Sequence, residues 1–123
     1  LWHVSNAFII PEGEKLAEKL AKKTFADYVM FQNSGAEATE AAIKVARKYF
    51  YSIGKPKKNR ILCVKNSFHG RTSAAVAATD NKKIVAPMNA QQSVTFLPLN
   101  KIELVEKELE KEVVNQLKPE HFK

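Results

Sequence analysis

The sequence predicts an α/β fold, a mostly parallel sheet with flanking helices. Three occurrences of one local pattern carry that expectation. Each is a short apolar run followed by turn residues and then a helical stripe. Tyr28–Phe31 leads through Asn33-Ser34-Gly35 into a helix, Arg60–Val64 through Asn66–Thr72 into an alanine-rich helix, and Ser93–Leu97 through Asn100 into a last helix. Sheets of this kind bind ligands outside the carboxyl ends of their strands. The turns after the first two strands therefore fall on the expected functional edge.

Taken in order, Leu1–Ile10 is apolar and irregular. Pro11 opens a helix that runs to about Lys23, since proline suits a first helical turn and Leu16, Ala17, Leu20 and Ala21 make one apolar stripe. Tyr28–Phe31 reads as a buried strand. The helix from Gly35 to about Tyr51 presents Ala38, Ala41, Ala42, Val45, Ala46 and Tyr49 as a small-residue face suited to close packing on a sheet. Residues 52–59 are a polar turn with three lysines. After the Arg60–Val64 strand, a short helix spans about Thr72 to Ala78. Residues 80–92 are weakly patterned and read as a loop. Asn100 is expected to cap the last helix, whose stripe is Ile102, Val105, Leu109, Val113 and Leu117. From Lys118 the chain is a charged tail broken by Pro119.

The 123 residues fit one domain or part of one, and 45% hydrophobic content is ordinary for a globular chain. Lys and Arg number 20 against 13 Asp and Glu, a net charge of +7. The basic residues are mostly lysines spread along helices beside glutamates, without a basic stripe interleaved with aromatics, so nucleic acid is not an expected partner. No apolar stretch approaches the length of a membrane span, and no signal peptide is visible. One cysteine, Cys63, excludes an internal disulfide and points to a reducing compartment, hence the cytoplasm. It lies in an apolar run and reads as a small buried side chain.

The turn Ser34-Gly35-Ala36 has the Ser-x-x-Glu spacing of a capping box with Glu37, and Glu37 and Glu40 are expected in the first turn, at the positive helix end. Two readings stand for it: a phosphate cradle of backbone amides, or a well-capped helix with a tight start. Phe68 is a candidate wall for a flat heteroaromatic ring, or core. His69 is a titratable candidate or a structural hydrogen-bond partner. Arg71 suits a carboxylate, or is a surface guanidinium. His3, His69 and His121 are scattered, so no metal site is expected. No Gly-x-Ser-x-Gly, Gly-x-Gly-x-x-Gly or Walker loop is present.

Three blocks together, Leu1-Trp2-His3-Val4-Ser5-Asn6, Asn33 to Lys44, and Asn66-Ser67-Phe68-His69-Gly70-Arg71-Thr72, resemble the class III aminotransferases in order and spacing. The likeness is to acetylornithine-type members. It is firm over about residues 1–79 and weaker over 80–123. It implies a partial large domain of the pyridoxal phosphate (PLP)-dependent transferase fold type I, truncated. It implies PLP as cofactor, an acetylornithine- or ornithine-like amino donor, 2-oxoglutarate as acceptor, an arginine-biosynthetic role, and a homodimer for the full-length enzyme. By the same resemblance Gly35 and Ala36, with Ser34, hold the PLP phosphate, Phe68 stacks on the pyridine ring, and Arg71 contacts a substrate carboxylate. Ser5 and Asn6 fall in a stretch that nears the family's active site.

The sequence also departs from that pattern. The family's Schiff-base lysine and the carboxylate on the pyridine nitrogen lie downstream of the Phe-His-Gly-Arg block. Asp27 and Asp80 are the two aspartates here, and neither sits in such a motif. No catalytic residue is therefore expected within this chain. Beginning at Leu1 rather than Met, it reads as a fragment, or as an inactive remnant or subunit-pairing module.

Overall fold

The computed structural model describes residues 4, 5, 7–86 and 94–116, with side chains through residue 111. Two compact units are present, Leu1–Gln32 and Asn33–Lys123.

The first unit holds α1 (Pro11–Lys23). Pro11 occupies the first turn, where its missing N–H has no partner to lose. Glu12 and Glu14 meet the positive helix end and Lys22 and Lys23 the negative one. Thr24 closes the helix, its amide and hydroxyl both donating to the Leu20 carbonyl at 2.9 Å. The helix has no buried residue.

Tyr28–Phe31 is not a strand: the segment is irregular, with Tyr28 94% and Met30 60% exposed. An apolar run becomes a strand only when a neighbour pairs with its backbone. The two described strands pair with each other instead.

The second unit begins with α2 (Gly35–Ser52) and continues through β1 (Ile61–Val64), α3 (Ser73–Ala77), α4 (Lys82–Val85), β2 (Val94–Leu97) and α5 (Ile102–Gln116). β1 and β2 are parallel, with Ile61 opposite Val94 and Val64 opposite Leu97. Parallel pairing requires a crossover, and α3 and α4 lie within it. The predicted α/β character is therefore present, as a two-stranded parallel sheet with helices. The core is centred on α3: Ala74 to Ala78 are all buried, Ala75 completely, together with Ile43 of α2.

Three expectations are corrected here. The inward face of α2 is not the Ala38–Tyr49 set. Val45 and Tyr49 are more than half exposed, and Ala38, Ala42 and Ala46 are exposed. Of that set Ala41 alone is half-buried; the main inward row is Ala36, Glu40, Ile43, Arg47 and Phe50, at alternating spacings of four and three, with Thr39 half-buried beside it. Two polar residues join this face because each has a partner, Glu40 on α3 and Arg47 on the Asn59 carbonyl at 3.0 Å. The 80–92 loop contains α4, which Asn81 starts by accepting from the Lys83 amide at 3.1 Å. Asn100 does not cap α5. It sits in the left-handed region at φ 59°, which asparagine tolerates, and the helix starts two residues later. Leu117 and the tail from Lys118 lie outside the described residues, as do Leu1, Trp2, His3 and Asn6.

Candidate functional site

The mouth of α2 is set by Ser34. Its backbone is extended, and its Oγ accepts from the Glu37 amide at 3.3 Å. The hydroxyl proton goes to Glu37 Oε2 at 3.2 Å, so the capping pair closes through the side chains. Ala38 donates to the Ser34 carbonyl at 3.0 Å. The amides of Gly35 and Ala36 are then left without partners among the described residues. A Cβ on Gly35 would meet nothing within 4 Å, so the space there is open. Two free N–H groups at the positive end of an 18-residue helix can receive an anion.

The second turn is fastened along its length. Asn66, at φ 60°, donates its amide to Asp80 Oδ2 at 3.0 Å, and the Asp80 amide returns to the Ser67 carbonyl at 3.0 Å. Ser67 Oγ donates to the Val64 carbonyl at 2.6 Å. His69 donates its amide to Thr79 Oγ1 at 3.0 Å, whose own proton goes to the Ala75 carbonyl at 2.9 Å. Phe68 lies between these anchors, and 62% of it is exposed. A fixed backbone carrying an outward aromatic ring is suited to stacking rather than to filling a core.

Gly70 joins the two turns. Its φ is 124°, where side chains are strained. A Cβ there would lie 2.8 Å from Ala36 Cβ and 3.1 Å from Ala75 Cβ. The turn backbone is thus seated directly on the first turn of α2. Two residues of chain reach at most about 7 Å, so Phe68 is held near the α2 mouth.

Glu40 supplies the polar half of the same junction. Its Oε1 accepts from Thr72 Oγ1 at 2.6 Å, from the Ala74 amide at 2.9 Å and from the Ala75 amide at 3.4 Å. The Thr72 hydroxyl, then the two amides, and the charge of Lys44 hold its carboxyl below the usual range against partial desolvation. Glu40 lies beyond the first turn of α2, and its charge serves the start of α3 rather than that of its own helix.

All five predicted site residues, Ser34, Gly35, Ala36, Phe68 and Arg71, lie in one unit. The turns that carry them touch through Gly70. Arg71 is exposed and has no hydrogen bond or ion pair among the described residues. None of the five lines the open apolar cleft of about 450 Å³ between α2 and β1, whose walls include Ile43, Leu62 and Ala78. Ser5 belongs to the other unit and accepts from the Ala7 amide at 3.3 Å. Cys63 is half-buried, and burial pushes its thiol up, away from nucleophilic use. Among the described residues no group of three His, Cys, Asp or Glu side chains could hold a metal ion. No described helix is long and apolar enough to cross a membrane. Gly70 and Thr79 shape the site without having been singled out in the sequence, whereas Glu40 was noted there only for the start of its own helix. Of the first two, only Gly70, a glycine inside a strand-to-helix turn, carried a local signal.

The parallel α/β arrangement is the fold of the PLP-dependent transaminases. An amine transaminase from an uncultivated Pseudomonas species, solved in its PLP-bound form, matches with a TM-score of 0.68 at 25% identity over 79% of this chain and 23% of that one. The chain belongs to the class III aminotransferases, whose family model matches residues 1–121. The cofactor of that family is pyridoxal phosphate. An acetylornithine aminotransferase of Rhodobacter capsulatus is 55% identical over 85 residues, 69% of this chain and 22% of its own length. Acetylornithine aminotransferase 1 of Bradyrhizobium diazoefficiens is 46% identical over 111 residues, 87% of this chain and 27% of its own. The chain thus spans about a quarter of the length of these relatives.

Proposed function

We propose that this chain is the part of a PLP-dependent aminotransferase that holds the cofactor's phosphate and ring. The amides of Gly35 and Ala36, with the Ser34 hydroxyl beside them, receive the phosphate oxygens. Phe68 lies against the pyridine ring, and Arg71 takes a substrate carboxylate. The observation that carries this reading is the seating of Gly70 on Ala36, because it sets an anion-accepting helix mouth beside an aromatic turn. The open space at Gly35 and the exposed ring of Phe68 fit a flat phosphorylated ligand. The cofactor, when bound, supplies an electron sink. The residues here bind and orient it.

The amino donor in this reading is acetylornithine or ornithine, the acceptor is 2-oxoglutarate, and the role is arginine biosynthesis. The names of the R. capsulatus and B. diazoefficiens relatives support acetylornithine as the donor. The complete enzyme is a cytoplasmic homodimer. The chain alone does not transaminate, because the resemblance puts the Schiff-base lysine and the pyridinium carboxylate outside its motifs. A second reading, an inactive remnant or subunit-pairing module, draws on the exposure of Ile9 (78%), Phe25 (102%) and Tyr28 (94%), apolar surface suited to another polypeptide.

Equilibrium dialysis of the 123-residue chain against PLP, pyridoxal and inorganic phosphate separates these readings. PLP is expected to bind more tightly than either part of itself. The binding is reversible, so borohydride treatment and peptide mapping label no single lysine stoichiometrically. A chain that holds PLP no better than pyridoxal has no phosphate grip, and the second reading then replaces the first. One lysine labelled in full would overturn the predicted inactivity.

A further inference from the structure

α3 starts with a cap that its own chain does not provide. Thr72 precedes the helix, yet its side chain makes no capping bond within it. Its hydroxyl instead donates across to Glu40 Oε1, which also receives the amides of Ala74 and Ala75. One carboxylate oxygen of α2 therefore satisfies a hydroxyl and two of the orphan donors at the start of α3. Glu40 is five residues into α2, about 7.5 Å along the axis from Gly35. The turn it fastens carries Phe68, Gly70 and Arg71. Gly70 also abuts Ala36, a van der Waals approach that has no directional preference. A charge-assisted bond shared by three donors does have one.

We propose that Glu40 is a positioning residue that fixes the spacing between the amides at the α2 mouth and the Phe68 turn, so that both engage one PLP molecule. This rests on the phosphate-and-ring reading of the site. It makes a prediction that simple loss of folding does not. Inorganic phosphate uses only the α2 mouth, whereas PLP spans both turns. Removing Glu40 therefore weakens PLP and spares phosphate.

The test uses the full 123-residue chain with PLP and inorganic phosphate as probes. Glu40→Ala is expected to lower PLP affinity about tenfold or more, the 1.4 kcal/mol equivalent of losing part of a charged hydrogen-bond set. Phosphate affinity is expected to change less than about twofold. Two further variants separate position from charge. Glu40→Gln keeps an acceptor at the same reach and is expected to restore most PLP binding. Glu40→Asp keeps the charge but falls one methylene short, and is expected to behave like Glu40→Ala. Should Glu40→Ala lose phosphate and PLP together through misfolding, the Gln and Asp variants decide the matter. Asp binding PLP better than Gln, or both matching the parent chain, overturns the proposal. A parent chain that binds PLP no better than phosphate defeats the underlying site reading as well, a result told apart by its appearing before any substitution.

Discussion

Thr79 is 1% exposed, and its hydroxyl both donates, to the Ala75 carbonyl, and accepts, from the His69 amide. Valine has the same shape but neither capacity. Thr79→Val is expected to leave the His69 N–H unsatisfied and to destabilise the chain by about 1–3 kcal/mol. Urea unfolding reads this as a lower midpoint with an unchanged slope. Thr79→Ser, which keeps the hydroxyl, is expected to recover part of the loss, and equal stability of Val and parent would refute the assigned role. Nothing local in the Ala-rich run ending at Thr79 signals this task. The partner amide is ten residues earlier in the chain. Gly70 is similar: a glycine in a polar turn is visible, but the reason that no side chain fits is Ala36, on a helix far away in sequence. Glu40 was legible as a carboxylate near a helix start. That the helix start would be another helix's depended on how α2 and α3 pack.

At the scale of elements, the start of α2 is the best test of local physics. Ser34→Ala removes the acceptor for the Glu37 amide and is expected to cost about 1 kcal/mol. Ser34→Asp keeps an acceptor, so its stability stays near the parent's while its carboxylate repels the phosphate of PLP. Thermal unfolding and PLP titration of the two variants should thus diverge: Ala weakens the fold, Asp weakens the ligand. Joint loss or joint retention in both variants would contradict the dual use of this position. Helices were readable because their signals are local. The Pro11 start of α1 and the Ser34–Glu37 pair of α2 stand where spacing put them. The parallel strands Ile61–Val64 and Val94–Leu97 were readable as apolar runs followed by turns. Tyr28–Phe31 had the same look and stayed irregular, since pairing depends on a neighbour that a run cannot specify. The buried face of α2 was misread because alanine suits both a packed face and a plain helix surface. The half-buried Glu40 and Arg47 were not expected to face inward.

At the scale of the molecule, the carboxylates of Glu40 and Glu108 tie together elements distant in sequence, and both are held below the ordinary value of about 4.5. Glu40 ties α2 to α3. Glu108 ties α5 to the start of β1: Lys111 donates to its Oε2 at 2.7 Å, and Arg60, which also meets Thr95, donates to its Oε1 at 2.8 Å. A carboxyl depressed in the folded chain takes up a proton more readily when unfolded. Its stabilisation is complete above the unfolded value and is lost as pH falls through the lower, folded one. The chain already carries a net charge of +7, so each protonated carboxylate adds to self-repulsion as well as releasing a tie. Unfolding midpoints followed from neutrality to about pH 3 are therefore expected to hold steady and then drop below about 4.5. Glu40→Gln, which keeps an acceptor but no charge, is expected to start from a lower midpoint at neutrality and to show a shallower drop over that window. Added salt should weaken the contribution of Glu108, whose lysine partner is exposed, more than that of Glu40, whose Oε1 bonds include two to backbone amides. Identical acid slopes for the parent and Glu40→Gln would mean that the α2–α3 tie does not depend on the charge of Glu40, and would leave acid sensitivity to Glu108 and to overall repulsion.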